Sequence, residues 1–443
     1  MSEAGQIAMA PPPARMIDVL RAKVASRLLS NGMFTLADQL VASGTTFATS
    51  VMLGRMCLKE DFGLYMLGFN AYTILLTMQA SLICTPYIVR YPGAAREEVP
   101  SLTGSSLLQL LALIAPIAIV VVIIGAAFDA TGVSSALAHM LIAFGAAITF
   151  MLLRDFVRQI AFAQINGRTA FLLDVFVAAG QLGGIAFLGY FKSLDATKVF
   201  LLLGAICALG ILGWYQCHRT QLVLQPRAAL RDFVQEWSST RWLFLSALLW
   251  CVSINLYPWL LAAFHGTETT ASWGAALGIV AVINPIVFGV QNVVGPRIMH
   301  AYAKGGTALL RREVYRLSVA YGGGLLLFGL TMIVIGDVLV GLVYGTKYAN
   351  SGYLAALLSL NLATAAFAFA FSRGLFALRR AEVDFKVNVI AFVMLMLCGV
   401  WLAQAYGPIG AATGQLLTNA AACSVRIATF WYCTRDGAAM VPA

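Results

Sequence analysis

Apolar runs of helix length recur along the chain from about residue 33 to residue 432, broken only by short polar stretches. A hydrocarbon core of about 30 Å takes roughly 20 mainly apolar residues per crossing helix. The pattern predicts spans at 33–54, 64–89, 106–128, 135–162, 169–190, 198–217, 242–264, 272–296, 316–340, 353–378, 387–405 and 408–432. The longest break, His218 to Arg241, falls at the midpoint and leaves six spans on either side. The expected fold is an all-α integral membrane protein of about twelve transmembrane helices in two six-helix bundles. Its expected parts are a leading segment 1–32, a first bundle 33–217, a linker 218–241, a second bundle 242–432 and a tail 433–443.

Composition narrows the class. The 443 residues are 60% hydrophobic and 11% charged, with mean hydropathy +0.84, whereas ordinary globular chains are about 25% charged. A soluble fold is thereby excluded. The net charge of +10 raises a nucleic-acid partner, but that needs basic residues gathered on a water-exposed domain, and no stretch here is long enough to form one. The eight cysteines make no CxxC or metal-type spacing and sit mostly inside apolar runs, as packing residues do. Pro11–Pro13 and then Arg15, Arg21, Lys23 and Arg27 precede the first span, which is helix-length and closed by no small-residue cleavage site. It therefore reads as a retained signal anchor.

Charge position sets the orientation. With the N-terminus on one side, all of the 29 Lys and Arg except Arg55, Lys59, Lys192, Lys198 and Lys347 fall on that side. A frame shifted by one span destroys the separation. Since the Lys/Arg bias over short loops marks the cytoplasmic face, both termini are expected in the cytoplasm.

Each half opens with an amphipathic stretch: Ile17, Leu20 and Val24 before the first span, and Leu230, Phe233, Val234 and Trp237 before the seventh. Both spacings place the apolar set on one helical face, as in a helix lying in the membrane interface; a solvated linker is the other reading. An internal repeat fits the layout. At a shift of 214, Arg27 falls on Arg241, Phe162-Ala163 on Phe376-Ala377, Phe171 on Phe385, and Asp174-Val175 on Asn388-Val389. Thr85-Pro86 and Gly295-Pro296 match at 210 instead. Internal repeats in a multi-span membrane protein point to a transporter.

Charges within spans are functional candidates by default. Asp38, beside Gln39 and near Ser43, Thr45 and Thr46, has no Lys or Arg in its span before Arg55. It reads as an ion-coupling group or partner of a cation on a neighbouring helix, or else as an interfacial Asp reaching water. Arg154 and Arg158 share one face of the fourth span, beside Asp155. Guanidinium forks match phosphate or pyrophosphate oxygens bidentately, and Arg373 on the tenth span would complete a basic wall. The alternative is that these arginines only set orientation. Asp174, with Glu382 or Asp384, would pair with them as a gate or as structural ion pairs. Pro116, Pro258 and Pro285 within spans, and Gly322-Gly323-Gly324, are hinge candidates. The acidic pair Glu60-Asp61 is expected to start the second helix, with Asp at the N-cap. The four histidines lie on different segments, and no phosphate loop or nucleophile elbow occurs. No metal, cofactor or catalytic residue is therefore expected, and the outer loops are too short for a catalytic domain.

The runs Ala37-Asp38-Gln39-Leu40-Val41-Ala42-Ser43-Gly44-Thr45, Leu53-Gly54-Arg55, Asp61-Phe62-Gly63-Leu64-Tyr65 and Thr85-Pro86-Tyr87 resemble the opening of polysaccharide-biosynthesis flippases in the multidrug/oligosaccharidyl-lipid/polysaccharide exporter (MOP) superfamily. The resemblance covers roughly residues 30–95. It implies two bundles facing each other in a V around a cavity that opens alternately to either side. It also implies transport of a lipid-linked oligosaccharide (O-antigen, exopolysaccharide or capsule unit), with polymerase and glycosyltransferases as partners and no nucleic acid. Arg55, Arg154, Arg158 and Arg373 are then candidates for substrate binding, and Asp38, Asp174 and Asp384 for ion coupling or gating. A multidrug or metabolite antiporter of the same superfamily is the alternative; a membrane glycan polymerase or glycosyltransferase is the reading from another class.

Overall fold

A computed structural model describes the backbone of residues 14–132, 134–218, 222–380 and 382–435, with side chains from Met33 onward apart from 218, 238, 239, 242 and 243. The prolines at 11–13, the side chains of Ile17, Leu20, Val24, Arg15, Arg21, Lys23 and Arg27, and the tail past Arg435 lie outside the described residues.

Among the described residues every regular element is a helix. The first half comprises α1 (Ala14–Met56), α2 (Lys59–Gly93), α3 (Val99–Thr131), α4 (Ser135–Ala163), α5 (Gly167–Tyr190) and α6 (Ala196–His218). The second half opens with α7 (Pro226–His265). Helix α8 covers 267–304 with a break at Val282–Ile283, and α9 covers 307–344 beyond the non-helical Gly305 and Gly306. Helix α10 (Gly352–Ala377) follows, then α11 over 382–406 and α12 over 408–435, separated at Gly407, where φ is 60°. Nine described stretches are long and apolar enough to cross a membrane, and two of these divide at the glycines just named. Helix α1 is not among the nine because polar stripes lower its hydropathy.

Several local expectations change. The amphipathic stretch before the seventh span is the first part of α7, with Leu230, Val234 and Trp237 exposed and Ala229 and Asp232 buried. A linker boundary at 241 thus falls inside a continuous helix. Pro116 and Pro258 sit within unbroken helices. Gly322 is helical too, and a Cβ there would stand 2.3 Å from the Phe367 ring, so this glycine makes room for a neighbour instead of bending the chain. Leu58, not Asp61, is the N-cap of α2, and Glu60 and Asp61 lie in its first turn, where carboxylates favour the helix dipole.

The repeat is visible in backbone detail. Helices α4 and α10 end in the same turn, with Ile165 at φ 56° and Arg379 at φ 59°, positions separated by the same shift of 214. In each, the next residue's N–H reaches back five positions, Asn166 to Ala161 O and Arg380 to Leu375 O. That is the bond pattern by which left-handed residues close a helix.

The two halves converge at the end poor in Lys and Arg. Arg55 Nε donates to Val343 O at 2.7 Å and its Nη2 to Leu342 O, so this guanidinium caps the carbonyl end of α9. Ser50 and Tyr344 hydroxyls lie 2.9 Å apart, and Lys347 Nζ donates to Cys57 O at 2.6 Å. Toward the basic end α1 loses this cover: Met33, Leu36 and Leu40 are 71%, 70% and 64% exposed. On the opposite flank the halves stay joined, with Gln109 Nε2 donating to Ala229 O and Arg90 bound to Glu236 at 2.6 Å. The halves are thus closed on each other at the end poor in Lys and Arg and joined along one flank at the basic end, where the apolar face of α1 is uncovered.

Candidate functional site

Helix α1 is the partition between two cavities, and its side chains explain why. Gln39, Ser43, Thr46 and Ser50 recur at helical spacing and line a cavity of about 480 Å³ between the halves. Asp38, Thr45 and Thr49 are rotated away from that stripe and face the first bundle. Thr45 and Thr46 line a cavity of about 110 Å³ there, together with Tyr72, Arg154, Asp174 and Gln181, and Gln181 Nε2 donates to Thr49 Oγ1 at 2.7 Å. Adjacent positions on a helix differ by about 100° in direction, so Gln39 lines the larger cavity while Asp38 turns into the first bundle.

Asp38 is fully buried and accepts from Arg158, at 2.5 Å from Nη2 and 3.1 Å from Nε. Arg158 Nε also lies 2.9 Å from Asp174 Oδ2, and Arg154 Nη2 lies 2.6 Å from Asp174 Oδ1. Arg154 Nη1 reaches Asp155 Oδ1 at 3.0 Å, and Asp155 accepts from the Tyr72 hydroxyl. Four helices thus share one network. It holds two guanidiniums and three carboxylates, so with every group ionised it carries an excess negative charge. Asp38 Oδ1 is buried without a hydrogen-bond partner. Burying such groups costs several kcal/mol each unless they pair, and the pairing supplies the compensation for all but one charge.

Among the described residues, Arg158 is the single charged side chain on the wall of the larger cavity. Phe47, Tyr65, Phe69 and Phe288 add aromatic surface there, and Asn284 a polar group beside Pro285 at the break of α8. Among the described residues no cluster of metal-ligating type occurs.

The other sequence candidates sit elsewhere. Arg55 belongs to the closed end, on α9 carbonyls. Arg373 is exposed with its guanidinium 4.8 Å over Phe369, and lines neither cavity. The expected wall of Arg154, Arg158 and Arg373 therefore does not form. The residue equivalent to Arg158 by the shift of 214 is Ser372, one position before Arg373, and one position turns a helical side chain by about 100°. Ser372 donates to Asp384, which pairs with Arg426 Nε at 2.8 Å, while Arg426 Nη2 reaches Asn388, the equivalent of Asp174. Asp384 thus joins Arg426 in a second-half cluster, and Glu382 lies 3.6 Å from Arg380. Asp174 does join Arg154 and Arg158.

Nothing local in the sequence marks Tyr72, Gln181 or Tyr344 for these places. Asp155, between two arginines, is the available signal for the network.

No family model matches the sequence, and no curated protein matches it. Solved structures do. An inward-facing multidrug resistance MATE family transporter of the MOP superfamily superposes with TM-score 0.70 at 15% identity, over 89% of this chain and 94% of that one. The lipid II flippase MurJ in an inward closed conformation gives TM-score 0.67 at 13% identity, over 90% and 87%. An outward-facing MATE transporter of the same superfamily gives 0.60 at 14%, over 94% and 96%. The chain has the fold of MOP-superfamily transporters.

Proposed function

We propose that this chain flips a polyprenyl-pyrophosphate-linked oligosaccharide from the cytoplasmic to the periplasmic leaflet of a bacterial inner membrane by alternating access. The observation that carries this reading is the wall of the larger cavity. One stripe of α1 offers an amide and hydroxyls suited to sugar hydroxyls, aromatic rings offer stacking surface, and the one charged group is an arginine suited to phosphate. The uncovered part of α1 at the basic end gives an acyl chain an apolar path beside the cavity. The basic end is the cytoplasmic one on the positive-inside rule. Arg158 is the phosphate contact with Arg154 behind it, and Asp38 and Asp174 are the groups through which an ion gradient acts. Arg55 and Asp384 fall to gating and bundle integrity. Polysaccharide polymerase and glycosyltransferases are the partners this role implies.

One observation favours a second reading. The network in the first bundle has more carboxylates than guanidiniums, which suits a cation-coupled multidrug or metabolite antiporter.

The deciding experiment reconstitutes the full chain in proteoliposomes and follows a fluorescent polyprenyl-pyrophosphate oligosaccharide between leaflets, with ethidium efflux in parallel. Protein-dependent lipid movement without ethidium efflux supports the flippase. Ethidium efflux with no lipid movement overturns it in favour of the antiporter.

A further inference from the structure

We infer that the larger cavity selects uncharged sugars, hexoses or acetamido-hexoses, beside the lipid pyrophosphate, and that its wall disfavours carboxylated sugars. The inference rests on the reading above that the pyrophosphate sits on Arg158, and deepens it by naming the class of glycan.

Charge enters this wall at one point. Helices α1, α2 and α8 contribute only uncharged residues to it, and among the described residues Arg158 of α4 is its single charged side chain. The Nε and Nη2 edge of that guanidinium already lies on Asp38 and Asp174. These two, with Asp155, outnumber the arginines of the network. A pyrophosphate can touch Arg158 directly, but a second anion elsewhere in the cavity meets no cation. Arg373 lies outside the wall, over Phe369, and Arg55 is held on α9 carbonyls. Taking a carboxylate out of water without a partner is costly, whereas a hydroxyl needs only ordinary donors and acceptors.

What the wall offers instead matches a neutral ring. Gln39, Ser43, Thr46 and Ser50 stand on the first half and Asn284 on the second, so polar groups reach the cargo from both sides of the gap. Amides and hydroxyls both donate and accept, as sugar hydroxyls and acetamido groups do. Phe47, Phe69 and Phe288 add aromatic surface between these groups. The negative face of an aromatic ring suits the C–H side of a sugar and repels a carboxylate. Asn284 is the residue from which the second half can set this selectivity, because a longer side chain there projects into the same cavity.

The test compares three ligands of the full chain in detergent by calorimetry, at about pH 7, where a carboxyl group is ionised. They are farnesyl pyrophosphate, farnesyl-pyrophosphoryl glucose and farnesyl-pyrophosphoryl glucuronic acid; the two sugars differ only by a hydroxymethyl group against a carboxylate. Wild-type protein is expected to bind the glucosyl lipid severalfold more tightly than the sugar-free one, and the glucuronosyl lipid about tenfold more weakly than the glucosyl one. Asn284→Lys adds a second cation to the wall, and is expected to raise affinity for the glucuronosyl lipid and close most of that gap. Arg158→Gln is expected to lose all three ligands. Equal or tighter binding of the glucuronosyl lipid by wild-type protein overturns the inference and leaves the cargo reading intact. So does a glucosyl lipid that binds no better than the sugar-free one, or a gap unchanged in folded Asn284→Lys. No binding of any ligand by wild type, or undiminished binding by Arg158→Gln, overturns the cargo reading itself. If Asn284→Lys does not fold, the wild-type order of the two sugar lipids decides alone.

Discussion

Tyr344 fills the space beside Gly54: a Cβ on that glycine would stand 2.5 Å from the tyrosine Cδ1. Gly278 leaves room for the same side chain from the other direction, since a Cβ there would meet the Tyr344 hydroxyl at 1.9 Å. One ring of the second half is thus seated between α1 and α8, and its hydroxyl meets Ser50. This seat belongs to the arrangement in which the end poor in Lys and Arg is closed.

Gly54→Leu is expected to unseat Tyr344 and shift the protein toward the state open at that end. The reporter is Ser50→Cys in a protein whose native cysteines have been replaced, because position 50 is partly buried in the closed seat. Labelling by a membrane-impermeant thiol reagent from outside should rise severalfold in the Gly54→Leu background. Unchanged labelling counts against the seat as a closure element.

Arg55→Gln removes the caps on Leu342 and Val343 carbonyls without touching either cavity. Turnover should change while half-saturating substrate concentration stays near the wild-type value. A selective loss of substrate affinity would return Arg55 to the binding site.

The two carboxylate clusters should differ in their cost. Asp174 is buried between two guanidiniums; its loss leaves Arg154 with Asp155 and Arg158 with Asp38, so the cost is that of its charge-assisted bonds, about 1.5–3 kcal/mol. Asp384, with a side chain 33% exposed, is expected to cost about 1 kcal/mol. Thermal unfolding in detergent should therefore show a larger drop for Asp174→Ala than for Asp384→Ala, and equal drops would refute the difference in compensation.

Gly322→Leu should destabilise by about 1–3 kcal/mol, because the Phe367 ring occupies the space the new side chain needs. Phe367→Ala in the same protein should recover part of that loss. A double-mutant cycle with no coupling would mean that the two positions are independent.

Much of the architecture was legible because its causes are local. An apolar run long enough for a bilayer is a property of consecutive residues, so the helix spans could be read directly, as could the side richer in Lys and Arg. The repeat was also within reach, and Ile165 and Arg379 show it in the backbone. Breaks at Gly305, Gly306 and Gly407 fall in the gaps between the expected spans, whereas the break at Val282–Ile283 lies inside the expected span 272–296 and was not marked by its composition.

The sequence by itself determined that the chain is a helical membrane protein of two halves and that charges lie inside its spans. Only the tertiary structure decided what those charges meet. Asp38 turns into the first bundle onto Arg158 while its neighbour Gln39 lines the larger cavity, and Arg373 lies outside a wall that its number alone suggested. The physical reason is rotation about the helix axis: one residue turns a side chain by about 100°, and the packing of whole helices sets the direction from which that angle is measured.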